Sequence, residues 1–452
     1  MLPHTLEYDQ EQSQYWSTQQ TELHPFCRFL PTNADDVRDA LSAAWAQNAS
    51  VAIASGGHSS NIGASNTENG LTIDLSRMNE VVLEHDHESV SIGPGARWSE
   101  VYEALEKHNL TVPGGRAGHI GVGGYVLGGG FSWHANDVGW SCDSVLEFEV
   151  VTPDLRILTA SENDHEDLFW ALKGSLGAFG IVTNIKMRTI KTPGFYGGAI
   201  AYAEEALPAV FATLKELARN SEMDPLTSGY VSYGYNASTK DTSYNAYLIN
   251  SGLYKSSPTI GNFLRIPNRG HHFRRMTPSQ SAEQIAASNP LGYRRSKFTL
   301  TTLPTMEVMD MAWHAFQGFV EDVKLDNTSM VGVTYQPLTV QHLRARDNIF
   351  SEALTPDYGP LLLISVELWW TDAAQDAYLE NEFQVLWDML VYALQWMLVL
   401  HAWVYPNYAA SWKEPFGDYV LGPATMEGLR IVKESYDPHD VWRELVPGIW
   451  HV

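Results

Sequence analysis

Two clusters of glycine constrain this chain more than any other feature of its sequence. The first, Ala54-Ser55-Gly56-Gly57-His58-Ser59-Ser60, follows directly on the apolar run Val51–Ile53. Adjacent glycines let successive backbone N–H groups turn inward around a concavity that suits a pyrophosphate. Ser59 and Ser60 add hydroxyl donors. Taken alone, this run fits a tight hairpin turn with a solvent-facing His58 equally well. The second cluster runs Gly114-Gly115-Arg116 and then Gly121-Val122-Gly123-Gly124-Tyr125-Val126-Leu127-Gly128-Gly129-Gly130, so nine of the 17 residues from Gly114 to Gly130 are glycine. That density is costly in conformational entropy unless backbone must come close to something flat. Glycine-rich packing of a helix on a sheet is the other reading. The run is not a dinucleotide fingerprint, lacking a strand-to-helix setting and a downstream acidic residue, and no Gly-Lys-Ser/Thr follows to make a P-loop.

Charge narrows the partners. The 452 residues hold 29 Lys+Arg against 53 Asp+Glu, a net charge of −24, and such a field repels phosphate backbones and anionic lipid. Nucleic acid and membrane are therefore not expected partners, and the oligomeric state is left open. The 44 % apolar content excludes disorder, and the length implies two domains or more. Two cysteines, Cys27 and Cys142, exclude a disulfide framework and a CxxC metal or redox site. A single bridge is possible, but both are expected free and partly buried. The polar first 25 residues show no leader, so the expected location is intracellular, or secreted if a leader has been removed. The stretch Leu386–Val404, broken by Asp388, Gln395 and His401, reads as a buried helix and not a membrane span.

The texture changes near residue 196. Before it, short β-like runs alternate with glycine and two helices, one starting near Thr32 with a capping-box-like T-N-A-D and the stripe Val37, Leu41, Trp45. After it come longer strands (Gly229–Tyr235, Ser243–Ser251, Ser329–Gln336, Leu361–Trp370) and a helix with Met306, Met309, Trp313, Phe316 and Val320 on one face. Strand pairs followed by helices predict an antiparallel sheet covered on one side. Alternation puts Glu367 on the same face as Ser365 and Trp369. A basic island (Arg265, Arg269, His271, His272, Arg274, Arg275, then Arg294, Arg295 and Lys297) reads as a solvated loop, with reception of an anionic substrate as the sharper alternative. No metal site is expected, since His271-His272 has neither the spacing nor the partners.

Together, SGGHSSNIGAS…GLTIDLSRMN, PGG-x(5)-GVGGYVLGGGFSW, CDSVLEFEVVT, DLFWALKGSLGAFGIVT, the Tyr405-Pro406-Asn407-Tyr408 motif and the closing Tyr436-Asp437-Pro438 resemble the flavin-linked oxidases of the vanillyl-alcohol-oxidase superfamily, nearest its berberine-bridge-enzyme-like branch. The resemblance is strong over 50–190 and 405–448 and architectural between them. It implies an α+β fold: a PCMH-type FAD-binding domain built from both chain ends (1–195 and 402–452), with a substrate domain over 196–401. Ser55, Gly56, Gly57, His58, Ser59, Ser60, Gly115, Gly121, Gly123, Gly124, Tyr125, Gly128, Val182 and Asn407 are the implied cofactor contacts. His58 matches the histidine bonded to the flavin 8α-methyl carbon. Ala117 stands where many members place a second, cysteine link, so the resemblance implies FAD held by one covalent bond through His58. Tyr125 replaces a common histidine and Ala54 a common arginine, changes that bear on redox tuning more than on binding.

The implied chemistry is hydride transfer from a small, hydrophobic or aromatic specialised metabolite to flavin N5, with O2 as the second substrate and hydrogen peroxide released; dehydrogenation, alcohol oxidation and oxidative cyclisation all remain open. Tyr408 or Tyr405 is the candidate base, with Glu367 as the next. A tyrosine near pKa ~10 needs a neighbouring cation or carboxylate to act at neutral pH. A sugar oxidase, a dehydrogenase closed to O2, and a flavin-fold protein that binds or cyclises a ligand without net redox change are the alternatives.

Overall fold

The computed structural model describes residues 1–344 and 346–452. The N-terminal half holds two small sheets. Cys27–Phe29, Leu71–Asp74 and Val51–Ala54 form a parallel three-stranded sheet, with Leu71–Asp74 in the middle. The helix Ala34–Ala46 crosses between its outer strands, started by Asn33, whose side chain accepts from the Asp36 amide at 2.9 Å. The cap thus lies one residue beyond Thr32, and the Asp36 carboxylate reaches back to the Thr32 amide and hydroxyl. The helix buries Ala34, Val37, Leu41 and Ala44, whereas Trp45 is exposed, because the stripe turns inward at Ala44.

A five-stranded antiparallel sheet follows in the order Val81–Leu83, Ser89–Ile92, Ile181–Arg188, Val145–Val151, Ile157–Ser161. The C-terminal segment packs back on this half. Trp403, Tyr405, Phe416, Leu421, Met426 and Leu429 enter its main core, and Trp442, Leu445 and Val446 close over the helix Ala34–Ala46.

The middle of the chain builds a nine-stranded sheet in which Phe195–Tyr202, Asp241–Asn250, Thr227–Asn236, Met330–Leu338, Leu361–Trp370 and Arg294–Thr302 lie side by side, all antiparallel. Strand alternation sorts its faces. Leu362, Ile364, Val366, Leu368 and Trp370 point into a core with the helices Leu207–Arg219, Met306–Asp322 and Asp376–Trp396. The opposite face turns Lys297, Thr334, Gln336, Ser365 and Glu367 toward the N-terminal half. In the helix Met306–Asp322, Val308, Met309, Ala312, Trp313, Phe316 and Phe319 are buried, while Met306 and Val320 pack at its margin.

The helix Asp376–Trp396 corrects the expectation of a buried helix. Leu386, Leu390 and Leu394 are buried, but Met389, Tyr392, Trp396 and the following Leu398 face solvent. Its apolar residues run all round, so composition alone hides the wet side. Among the described residues no helix is long and apolar enough to cross a membrane. Both cysteines are free; Cys142 is wholly buried and Cys27 half-buried.

Candidate active site

One cavity lies between the glycine loops and the open face of the large sheet. Ser55, Gly56, Gly57, His58, Ser59, Ser60, Gly121, Gly123, Gly124, Tyr125, Val182, Tyr405, Asn407, Tyr408 and Glu367 all line it. Gly115 and Gly128 do not. A Cβ on Gly115 would lie 2.4 Å from the Trp98 ring, and one on Gly128 would strike the Asn407 amide at 2.4 Å. Both serve packing beneath the site.

The glycines divide by task. A Cβ on Gly56 would sit 2.3 Å from the Gly121 nitrogen, and one on Gly121 would sit 2.2 Å from the Gly56 nitrogen. Here glycine lets the two loops touch, backbone to backbone. Gly57 needs its freedom for a φ of +62° beside the Tyr15 ring. Gly124 differs, since a Cβ there would meet nothing within 4 Å although the residue lines the cavity. Among the described residues, the backbone amides from Gly56 to Ser60 donate to no protein acceptor. A concave row of free amides beside a glycine facing open space fits a cofactor with a pyrophosphate and a flat ring. Gly121 also opens a short helix, Val122–Leu127, a helical setting absent from the sequence reading.

His58 stands at one end of the cavity, stacked on Trp16 with ring centroids 4.1 Å apart. Its Nε2 lies 2.8 Å from Nε2 of His119, so one ring donates and the other accepts. Burial, then His119, Arg295 and Lys297, hold the His58 pKa well below the usual imidazole range. Burial, Arg97 and Arg295 bring His119 down to about 4. Both rings are therefore neutral at pH 7, and the contact leaves the Nδ1 side of His58 without a side-chain partner. Ala117 lines the cavity and offers no thiol there, while the Tyr125 hydroxyl accepts from Ser141 Oγ at 3.1 Å.

The catalytic candidates separate on burial and charge. Tyr405 is 1 % exposed, packed against Trp140, Trp403 and Tyr408; burial first, then the nearby tyrosines, push its hydroxyl far above the ordinary range. That argues against Tyr405 as a base. It accepts instead from Asn407 Nδ2 at 3.2 Å, an amide that also donates to the Tyr125 carbonyl at 3.1 Å. Tyr408 is placed otherwise. Arg116 Nη2 donates to its hydroxyl at 3.2 Å, and Lys297 Nζ lies 3.6 Å from its ring centroid. Glu367 pairs with Lys297, its partner across the two strands. Burial works to raise the Glu367 pKa, but Lys297 and Arg295 outweigh it and the net direction is down. Glu367 is thus an ionised counter-charge and a weak base.

Arg116, His119, Trp16 and Gln336 were missed as site residues. Arg116 had a signal, as the one charged residue between Gly114 and Gly130. The basic island also divides. Arg265, Arg269, Arg274 and Arg275 are exposed, whereas Arg294, Arg295 and Lys297 belong to the strand Arg294–Thr302 and are held by Glu22 and Asp376, by Trp16 and Trp369, and by Glu367.

Comparison with known proteins agrees with this geometry. The FAD binding domain family matches residues 25–161. The FAD-dependent monooxygenase sdcF of Emericella nidulans is 32 % identical over 99 % of this chain and 94 % of its own length. The solved 6-hydroxy-D-nicotine oxidase of Arthrobacter nicotinovorans superposes with a TM-score of 0.81 at 18 % identity, covering 99 % of this chain and 96 % of its own. Glucooligosaccharide oxidase of Acremonium strictum, described with a 6-S-cysteinyl, 8α-N1-histidyl FAD, gives 0.78 at 20 % identity over 98 % of this chain and 94 % of its own. With an FAD binding domain over residues 25–161 and likeness to the Emericella enzyme along nearly its whole length, the chain belongs to the FAD-dependent oxidoreductases and shares the fold of the solved oxidases.

Proposed function

We propose that this enzyme is an oxidase that removes a hydride from a small aromatic metabolite, with Tyr408 as the base and His58 as the single covalent anchor of FAD. Bound FAD would supply the hydride acceptor and pass the electrons to O2 to give hydrogen peroxide. The observation that carries the reading is Tyr408 itself, a phenol in the cavity with a guanidinium on its oxygen and an ammonium over its ring. Arg116 orients the Tyr408 oxygen, the atom that takes a proton from the substrate O–H, N–H or C–H next to the carbon losing hydride. Glu367 keeps Lys297 in place. Asn407 holds the segment in place by donating to the Tyr405 hydroxyl and the Tyr125 carbonyl.

The anchor reading rests on a neutral imidazole that lines the cavity, stacked flat on Trp16 and held at Nε2 by His119. The Acremonium enzyme's two-link FAD has no counterpart for its cysteinyl bond here, since Ala117 carries no sulfur.

Anaerobic mixing of the yellow enzyme with aromatic alcohols, phenols and amines tests the reading. Bleaching of the flavin band, with peroxide formed on admission of air, is expected, and Tyr408→Phe should slow the bleaching step. The name of the Emericella relative favours a second reading, oxygen insertion. Product that gains an atom from isotopically labelled O2 in place of free peroxide would establish that reading.

A further inference from the structure

Arg116 is a cation without a counter-ion. Among the described residues it makes no salt bridge, and its one hydrogen bond goes to the Tyr408 hydroxyl. The guanidinium instead sits among aromatic faces, 4.8 Å from the Tyr230 centroid, 5.5 Å from Trp133 and 5.6 Å from Phe131. Aromatic faces soften the desolvation of a cation but accept none of its in-plane N–H bonds. Among the described residues Glu367 is the only carboxylate lining the cavity, and it is paired with Lys297. The walls thus carry one cation in excess, inside a protein whose net charge is −24.

A second observation points the same way. Gln336, 2 % exposed, lines the same space as Arg116, and both ends of its amide lack a hydrogen-bond partner. A buried amide with neither end satisfied costs stability unless something else pairs with it. It stands on the open face of the sheet, where Gln336 pairs in register with Leu363 and its neighbour Thr334 with Ser365.

We infer that Arg116 and Gln336 form the recognition site for an oxygen anion on an aromatic substrate, a carboxylate or an acidic phenol with a second polar group beside it. The planar guanidinium meets the anion through N–H donors not used by Tyr408, and Gln336 serves the neighbouring group. Tyr230, Phe131 and Trp133 stack around the ring. The inference rests on the oxidase reading for the identity of the site, but its test does not require turnover.

The test titrates the purified flavoprotein with salicylate, with benzoate and with neutral benzamide, following perturbation of the flavin spectrum. Salicylate and benzoate are expected to bind roughly 10- to 100-fold more tightly than benzamide, the range of one charge-assisted pair. Arg116→Gln should erase that preference with flavin content unchanged, Arg116→Lys should keep part of it, and Gln336→Leu should weaken salicylate more than benzoate. Equal affinities for the acids and the amide, or a preference that survives Arg116→Gln, would overturn the inference. So would loss of FAD from a folded Arg116→Gln protein, which would assign the arginine to the cofactor. Failure of the oxidase reading looks different: flavin that no substrate bleaches, or labelled oxygen found in the product, while the preference for the acids stands.

Discussion

The two walls of the cavity are built on opposite principles. The loop wall works with backbone. Gly56 and Gly121 are present because any side chain would collide with the facing main chain, and the amides from Gly56 to Ser60 are left free to bind. The sheet wall works with side chains. Lys297, Gln336, Ser365 and Glu367 reach the site because strand pairing puts them there, and their neighbours one residue away belong to the helix-covered core. The loop wall suits a cofactor with fixed features; the sheet wall can change residue by residue without disturbing the fold, which suits a substrate.

Substitutions on each side should therefore fail in different ways. The largest effect is expected at the loop contact. Gly56→Ala puts a methyl into the Gly121 backbone and should cost about 3 kcal/mol or more, seen as a lower Tm and loss of bound flavin together. Gly124→Ala, with open space at its Cβ, should keep its apoprotein Tm and lose affinity for FAD alone. If both variants lose Tm equally, the division of the glycines into two tasks is wrong.

Next comes Tyr408→Phe, expected to lower kcat by about 10²- to 10⁴-fold, the usual range for a removed general base, with the flavin spectrum intact. Tyr405→Phe should cost far less in rate, because that hydroxyl is buried in its protonated form. Equal losses would return Tyr405 to the mechanism.

Lys297→Met is a smaller, pH-dependent change. It leaves Glu367 as a partly buried carboxylate without its partner, and should cost about 2 kcal/mol at pH 7, less than for a sealed pair. The sign follows from the lowered pKa of Glu367 in the folded protein. Such a group adds stability above its unfolded pKa of about 4.3, and that contribution is lost as the pH falls through the folded value. The Tm gap between wild type and Lys297→Met should thus be wide at pH 7 and close in acid. Adding Glu367→Gln to Lys297→Met should recover most of the loss. The smallest effect is expected at the exposed part of the basic island, where Arg274→Gln with Arg275→Gln should move stability by no more than about 0.5 kcal/mol and leave salicylate affinity unchanged.

The same contrast explains what could be read from the sequence. Glycine demanded by a backbone approach leaves a local trace, so the loop wall was legible down to His58. The strand Leu361–Trp370 was legible too, because alternation alone set Glu367 on the open face. What alternation leaves open is the partner. That Lys297 lies across from Glu367, and that Arg295 lies between Trp16 and Trp369, depend on strand order over long separations, so three residues of the strand Arg294–Thr302 were read as part of a surface loop. Trp45 and the solvent face of Asp376–Trp396 failed for another reason: apolar residues at helical spacing say that a face exists, not that something covers it.

The decisive measurement is an absorbance spectrum of the purified protein, repeated on pellet and supernatant after acid precipitation, for wild type and His58→Ala. The geometry described here predicts a flavin spectrum that stays with the wild-type pellet and moves to the supernatant in His58→Ala. Flavin in the wild-type supernatant would remove the His58 bond and leave the flavin site standing. A colourless protein that takes up no added FAD would contradict the reading of the cavity itself.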